Sequence, residues 1–163
     1  MYASGALAVF LAVVVVVWGP CSAFPDGAPI EACIYGNKPN HYGTKPQPRH
    51  TMKLNFLASD SYYEPGSVIY VHITGGTFKG FFVQARDAKT NKWIGTFHET
   101  KDVTVFPECS AVTHSTVPPK TEVVLAWHAP SHGQGEVYFT GTVLENYAKY
   151  WSDLVAKIPR RQG

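Results

Sequence analysis

The chain has 163 residues, with 14 Lys and Arg against 12 Asp and Glu and a formal net charge of +2. That length suits one domain with something added. A charge this close to balance leaves no electrostatic footprint for nucleic acid.

The addition is at the N-terminus. Ala6 to Trp18 is almost wholly apolar, and Cys21-Ser22-Ala23 then places small residues where a signal peptidase reads. We expect a signal peptide over 1–23, cleaved after Ala23, and a secreted mature chain starting at Phe24. The n-region has no Lys or Arg, a departure from the usual pattern that the α-amino charge offsets. A membrane anchor is the competing reading, but the run is short for a span and lacks a basic flank, so no stable membrane insertion is expected. Cleavage removes Cys21 and leaves Cys33 and Cys109, which in an oxidising compartment are expected to pair. Closing a loop of about 76 residues stabilises the chain by roughly 4.5 kcal/mol in the chain-entropy description. Two free buried thiols are the alternative.

Along the mature chain, Phe24 to Pro48 holds Pro25, Pro29, Pro39, Pro46 and Pro48, which rules out a central strand and predicts a wrap over a sheet edge. Strands follow at the spacing of a sandwich. Met52 to Leu57 alternates Met52, Leu54 and Phe56, and Glu64-Pro65-Gly66 is a turn. Ser67 to Thr74 sets Ile69, Val71 and Ile73 against Val68, Tyr70 and His72; both faces are apolar enough for a central strand. After Gly75-Gly76, Phe78 to Arg86 forms a strand, Asp87 to Lys92 a polar hairpin loop, and Trp93 to Phe97 the return. Val103 to Phe106 and Cys109 to Thr113 are short strands. Thr121 to Val143 gives the strongest antiparallel signal in the chain. Val123, Leu125 and Trp127 make one inward row, and Val137, Phe139, Gly141 and Val143 the other. Pro130, Gly133 and Gly135 lie between them, which predicts a long hairpin with Trp127 buried. At the C-terminus Tyr147, Tyr150, Trp151, Leu154, Val155 and Ile158 fall at helical spacing. A short helix is the favoured reading there, and an extended edge strand the competing one.

The search for chemistry excludes more than it finds. His128 and His132 are four apart, but Pro130 separates them, so they do not share a helical face; the seven histidines are read as surface or hydrogen-bonded groups, with no metal expected. A nucleophile elbow, a P-loop and a dinucleotide glycine pattern are all missing. The glutamates show no spacing that pairs two for glycoside hydrolysis. We therefore expect neither an enzyme nor a cofactor. Aromatic residues make up 13% of the chain, more than a core of this size needs. Exposed rings suit the flat apolar faces of sugars or the headgroup zone of a lipid layer. Tyr62 and Tyr63, beside the Glu64-Pro65-Gly66 turn, and Trp93, after the polar loop, are the candidate ligand-binding residues. For any one of them taken alone, Trp93 included, a place in the core or in a cross-strand pair is the stronger reading.

Several segments together resemble the reeler (reelin N-terminal) domain family. They are Phe24-Pro25-Asp26-Gly27-Ala28-Pro29 with Cys33, Tyr63-Glu64-Pro65-Gly66, Phe78-Lys79-Gly80-Phe81 and Gln84-Ala85-Arg86. They continue in order with Ile94-Gly95-Thr96-Phe97, Cys109, Leu125-Ala126-Trp127-His128-Ala129-Pro130, Gly135-Glu136-Val137-Tyr138-Phe139 and Tyr150-Trp151. The resemblance spans 24–163 and implies an all-β, immunoglobulin-like antiparallel sandwich with Cys33 paired to Cys109. It is to the solitary secreted form, like that of insect defence proteins. It implies innate immunity, antimicrobial action and binding of microbial surface glycans or lipids. It marks no binding residue. The alternative is an extracellular matrix or adhesion module without an immune role. The charge is too low and too mixed for a lytic peptide mechanism.

Overall fold

The computed structural model describes residues 27–35 and 43–160; the expected signal peptide and its cleavage point lie outside the described residues. The strands are β1 (Asn55–Ala58), β2 (Tyr62–Tyr63), β3 (Val68–Thr74), β4 (Gly80–Asp87), β5 (Thr96–Phe97), β6 (Val103–Phe106), β7 (Ala111–His114), β8 (Val123–His128), β9 (Gly135–Asn146) and β10 (Lys149–Val155). They form a four-stranded sheet in the order β1-β3-β8-β5 and a six-stranded sheet in the order β10-β9-β4-β7-β6, with β2 paired to the start of β9. The pairings between strands are antiparallel. The sheets face one another as an immunoglobulin-like sandwich, and the inward rows of both meet in one core.

The expected hairpin over Thr121 to Val143 is not formed. β8 pairs with β3 and β5, while β9 pairs with β10, β4 and β2, so the connection 129–134 carries the chain from one sheet to the other. A six-residue connection is longer than hairpin loops usually are. The two inward rows the sequence marked do face each other, but across the sandwich. Trp127 of β8, fully buried, meets Phe139 of β9 edge to face, ring centroids 5.6 Å apart. Tyr63 also packs edge to face on Trp127, ring centroids 5.7 Å apart, and the indole Nε1 donates to the Ile94 carbonyl at 2.9 Å. Each polar group in this aromatic centre that reaches a partner saves the cost of burying it unpaired.

The return after the polar loop also changes sheets. Trp93 bridges to Arg86 as a hairpin would, but Gly95 (φ +65°) bends the chain so that Thr96 and Phe97 join β8 instead of β4. Only glycine adopts that backbone without strain. β3 is central, as expected, between β1 and β8, although its second face is open: Val68 and Tyr70 are exposed.

The C-terminal helix is replaced by β10. Register shifts at Lys149/Tyr150 and at Trp151/Leu154 break the two-residue alternation, and Asp153 sits at φ +54°. Tyr150, Trp151 and Leu154 are all buried, so a bulged strand imitates helical spacing. Past its end the chain crosses to the other sheet. Lys157 N donates to Phe56 O and its carbonyl accepts from Ala58 N, both at 2.9 Å, which covers the β1 edge.

The N-terminal wrap covers a face of the six-stranded sheet and also, as expected, an edge of it, since β10 lies at the end of the strand order. Cys33 is bonded to Cys109, and both lie with Ala32, Phe82 and Ala111 in a second cluster outside the main core. Ala28 N donates to Thr113 Oγ1, Tyr150 OH donates to Thr44 O, and Gln47 N donates to Tyr150 O. β4 is consequently buried on both faces along Gly80 to Ala85.

Candidate functional site

The exposed rim where β4 turns over is built by Asp87. Its Oδ1 accepts from Lys89 N at 3.1 Å, Thr90 N at 2.7 Å and Thr90 Oγ1 at 2.8 Å. Those donors, Thr90's backbone amide first, hold the carboxyl below its ordinary value. Asn91 follows at φ +57°, a conformation asparagine tolerates better than most residues, and the loop closes with Asp87 N donating to Lys92 O at 2.9 Å. The loop is therefore a fixed platform edge and not a slack tether.

The register then assembles a row. Arg86 stands opposite Trp93 on one side and Tyr138 on the other. Residues directly opposite share a face, so the three side chains emerge together on the outer face. The Arg86 guanidinium donates to Asn91 O and to Gln84 Oε1, both at 3.0 Å, and Tyr138 OH donates to Asn91 Oδ1. Tyr62 stands opposite Glu136, two residues before Tyr138 and so on the same face. The Ala88 amide, donating to Glu136 O at 2.9 Å, ties the loop to this corner. The rim thus presents Tyr62, Glu136, Tyr138, Arg86 and Trp93.

Of the three residues expected to reach solvent, two do. Tyr62 is 45% exposed and Trp93 44%. Tyr63 does not: it is 5% exposed, points inward against Trp127, and burial raises its phenol above the ordinary value. The reason is the alternation of a strand, since consecutive residues point to opposite faces. Trp93 lies outside the core that was the stronger reading for it alone. Sequence reasoning missed Arg86 and Asn91. The alternation of β9 already put Tyr138 on the outer face, but the pairing that brings Arg86 beside it is a long-range fact. Three clefts, of about 300, 500 and 580 Å³, are lined by other residues. An exposed row outside those three clefts suits a polymer or a surface better than a small molecule enclosed in a pocket. Among the described residues no group of three or more His, Cys, Asp or Glu could hold a metal ion, and no helix is long and apolar enough to cross a membrane.

Two facing sheets, a wrap bonded onto the outside of one of them and an aromatic rim define a disulfide-stapled β-sandwich. The Reeler domain model matches residues 31–161. The chain belongs to the reeler domain family. It is 35% identical over 146 residues to ferric-chelate reductase 1 of Bos taurus, covering 83% of this chain but only 23% of the reductase. It is 30% identical over 149 residues to defense protein l(2)34Fc of Drosophila melanogaster, covering 83% of this chain and 87% of that protein. Among solved structures, the Reelin-N domain of F-spondin superposes with a TM-score of 0.54 at 18% identity, covering 81% of this chain and 97% of that domain. The chain spans about a quarter of the reductase's length, so the likeness concerns this domain alone.

Proposed function

We propose that this chain is a secreted innate-immune defence protein that adheres to microbial surfaces, glycan or lipid, through the rim formed by Tyr62, Tyr138, Arg86 and Trp93. The observation that carries the reading is the row itself: two exposed rings and a half-buried third flank a guanidinium held by two hydrogen bonds. Rings offer apolar faces to sugar C–H groups or acyl chains, and preorganised polar groups add orientation at little entropic cost. Likeness to a defence protein along most of both chains supports the biological setting. The disulfide and the apolar N-terminal run support secretion.

The test is a pull-down on bacterial cells and on insoluble glucan, at low and at physiological salt. Adhesion through rings persists at physiological salt, where attraction between exposed charges is screened beyond about 8 Å. Tyr62→Ala with Trp93→Ala lowers binding at least tenfold while the fold, judged by circular dichroism, is kept. Loss of all wild-type binding at physiological salt shows nonspecific charge attraction instead, and undiminished binding by the double variant removes the rim from the proposal. The second reading, a matrix or adhesion module, is favoured by the structural likeness to the F-spondin domain. Transcript that stays flat in blood cells and fat body after bacterial challenge selects it.

A further inference from the structure

We infer that His98 and His128 form a two-imidazole site for a divalent transition ion, Cu²⁺ by preference, on the outer face of the four-stranded sheet. His128 ends β8 opposite Thr96 of β5. His98 lies two residues beyond Thr96, and its amide donates to Ala126 O at 2.8 Å, which prolongs the β5–β8 pairing past the end of β5. Both side chains therefore emerge on one face as diagonal cross-strand neighbours. Their ring centroids are 5.9 Å apart with planes at 55°, and both residues are exposed. Among the described residues no group hydrogen-bonds to either ring. Phe81, Thr113 and the backbone surround His114 instead.

The separation is the argument. A metal–nitrogen bond of about 2.0–2.1 Å places an ion roughly 3.2 Å from an imidazole centroid, so two imidazoles on one ion have centroids about 4.5 Å apart at a right angle and about 6.4 Å apart when opposed. The observed 5.9 Å lies inside that range, and both rings are exposed to solvent. The other coordination positions are left to water. With imidazole donors and no thiolate, Cu²⁺ stands highest in the affinity order of the divalent ions. His128 was weighed in the sequence against His132, four residues on, which sits in the 129–134 connection. The partner that the fold supplies is 30 residues away on another strand, where no spacing rule looks.

Titrate the purified full chain with Cu²⁺ against a glycine competitor, following the visible d–d band and the nitrogen hyperfine structure of the electron paramagnetic resonance spectrum. The wild type takes up one tight equivalent with two nitrogen donors. His98→Gln and His128→Gln each weaken that equivalent about 100-fold, because the second ligand no longer binds intramolecularly. Each also reduces the nitrogen count, whereas His132→Gln and His72→Gln change neither. Both altered residues are exposed, and circular dichroism verifies that the variants fold. Retention of the tight equivalent in His98→Gln or in His128→Gln overturns the site, and so does an equal loss in His132→Gln.

Discussion

Gly95→Ala tests the sheet switch at its tightest point. A Cβ built there overlaps Cζ2 and Cε2 of Trp127 and comes to 2.5 Å from the His128 carbonyl oxygen. Neither neighbour is free to retreat, because the indole is fully buried and hydrogen-bonded and the carbonyl belongs to a paired strand. Two costs add. A non-glycine residue at positive φ costs about 1–2 kcal/mol, and overpacking a core costs about 1–3 kcal/mol more. The sum, about 2–5 kcal/mol, is a large share of the roughly 5–15 kcal/mol that holds a domain folded. At about 2–4 °C per kcal/mol for a domain of this size, Tm falls by about 4–20 °C. Gly133→Ala is the control: φ is +83°, but nothing lies within 4 Å of its Cβ, so only the backbone cost of about 1–2 kcal/mol applies. Combining Gly95→Ala with Trp127→Phe, which removes both overlapping indole atoms, should recover part of the loss as a coupling energy. Thermal denaturation of the four variants and the wild type decides it. Equal shifts for Gly95→Ala and Gly133→Ala, or strict additivity in the double variant, refute the claim that Trp127 packs against the switch.

Cys109→Ser removes a crosslink between residues 76 apart and should cost about 2–5 kcal/mol by urea denaturation. Unreduced mass mapping of the wild type should show the two peptides joined, and two alkylatable thiols in the native protein would contradict the structure. Asp87 is held below its ordinary carboxyl value, so its contribution is present above the unfolded value, near 3.9, and is lost as pH falls through the lower folded value. Acid should therefore loosen the 87–92 loop only below about pH 4. Trp93 fluorescence should report this in the wild type, and Asp87→Asn should flatten the response while leaving the fluorescence already shifted at neutral pH.

The alternation of Leu125 and Trp127, and of Val137 and Phe139, was legible because it reflects what each side chain faces. Which strand lies alongside was not, because pairing is set by the whole fold and not by the period. The same inward rows serve a hairpin, where they lie side by side, and a sandwich crossing, where they meet face to face. The C-terminus failed for a local reason. The bulges in β10 put Tyr150 and Trp151 in succession into buried places, Tyr150 reaching Thr44 O and Trp151 reaching Thr51 Oγ1. Two buried faces plus a slipped register give apolar positions at three- and four-residue intervals, as an amphipathic helix does. Within the site, Tyr62 and Tyr63 adjoin the same turn, and the sequence alone does not separate them. β2 is long enough to impose alternation, so one ring went out and the other in.

The distribution of covered and open surface explains why the rim is the place to look. A two-sheet sandwich has two outer faces, and here they are treated differently. The outer face of the six-stranded sheet is taken up by the wrap, whose bond to Cys109 and contacts with Phe82 and Tyr150 turn β4 and β7 into interior strands. The β1 edge of the other sheet is taken up by the chain around Lys157. The wrap's hydrogen bonds and its second cluster engage Phe82, Ala111, Thr113 and Tyr150, and beyond them the six-stranded sheet emerges at Arg86, Tyr138 and Trp93. Aromatic side chains left in water at that point gain nothing for the core, since Trp127 and Phe139 already fill it. The Asp87 turn nonetheless fixes the loop, and the Arg86–Gln84 and Tyr138–Asn91 hydrogen bonds fix the guanidinium and one phenol beside it. Order maintained on rim groups that contribute little burial is what a recognition surface requires, because the entropy of fixing those groups is met by folding and not by the ligand.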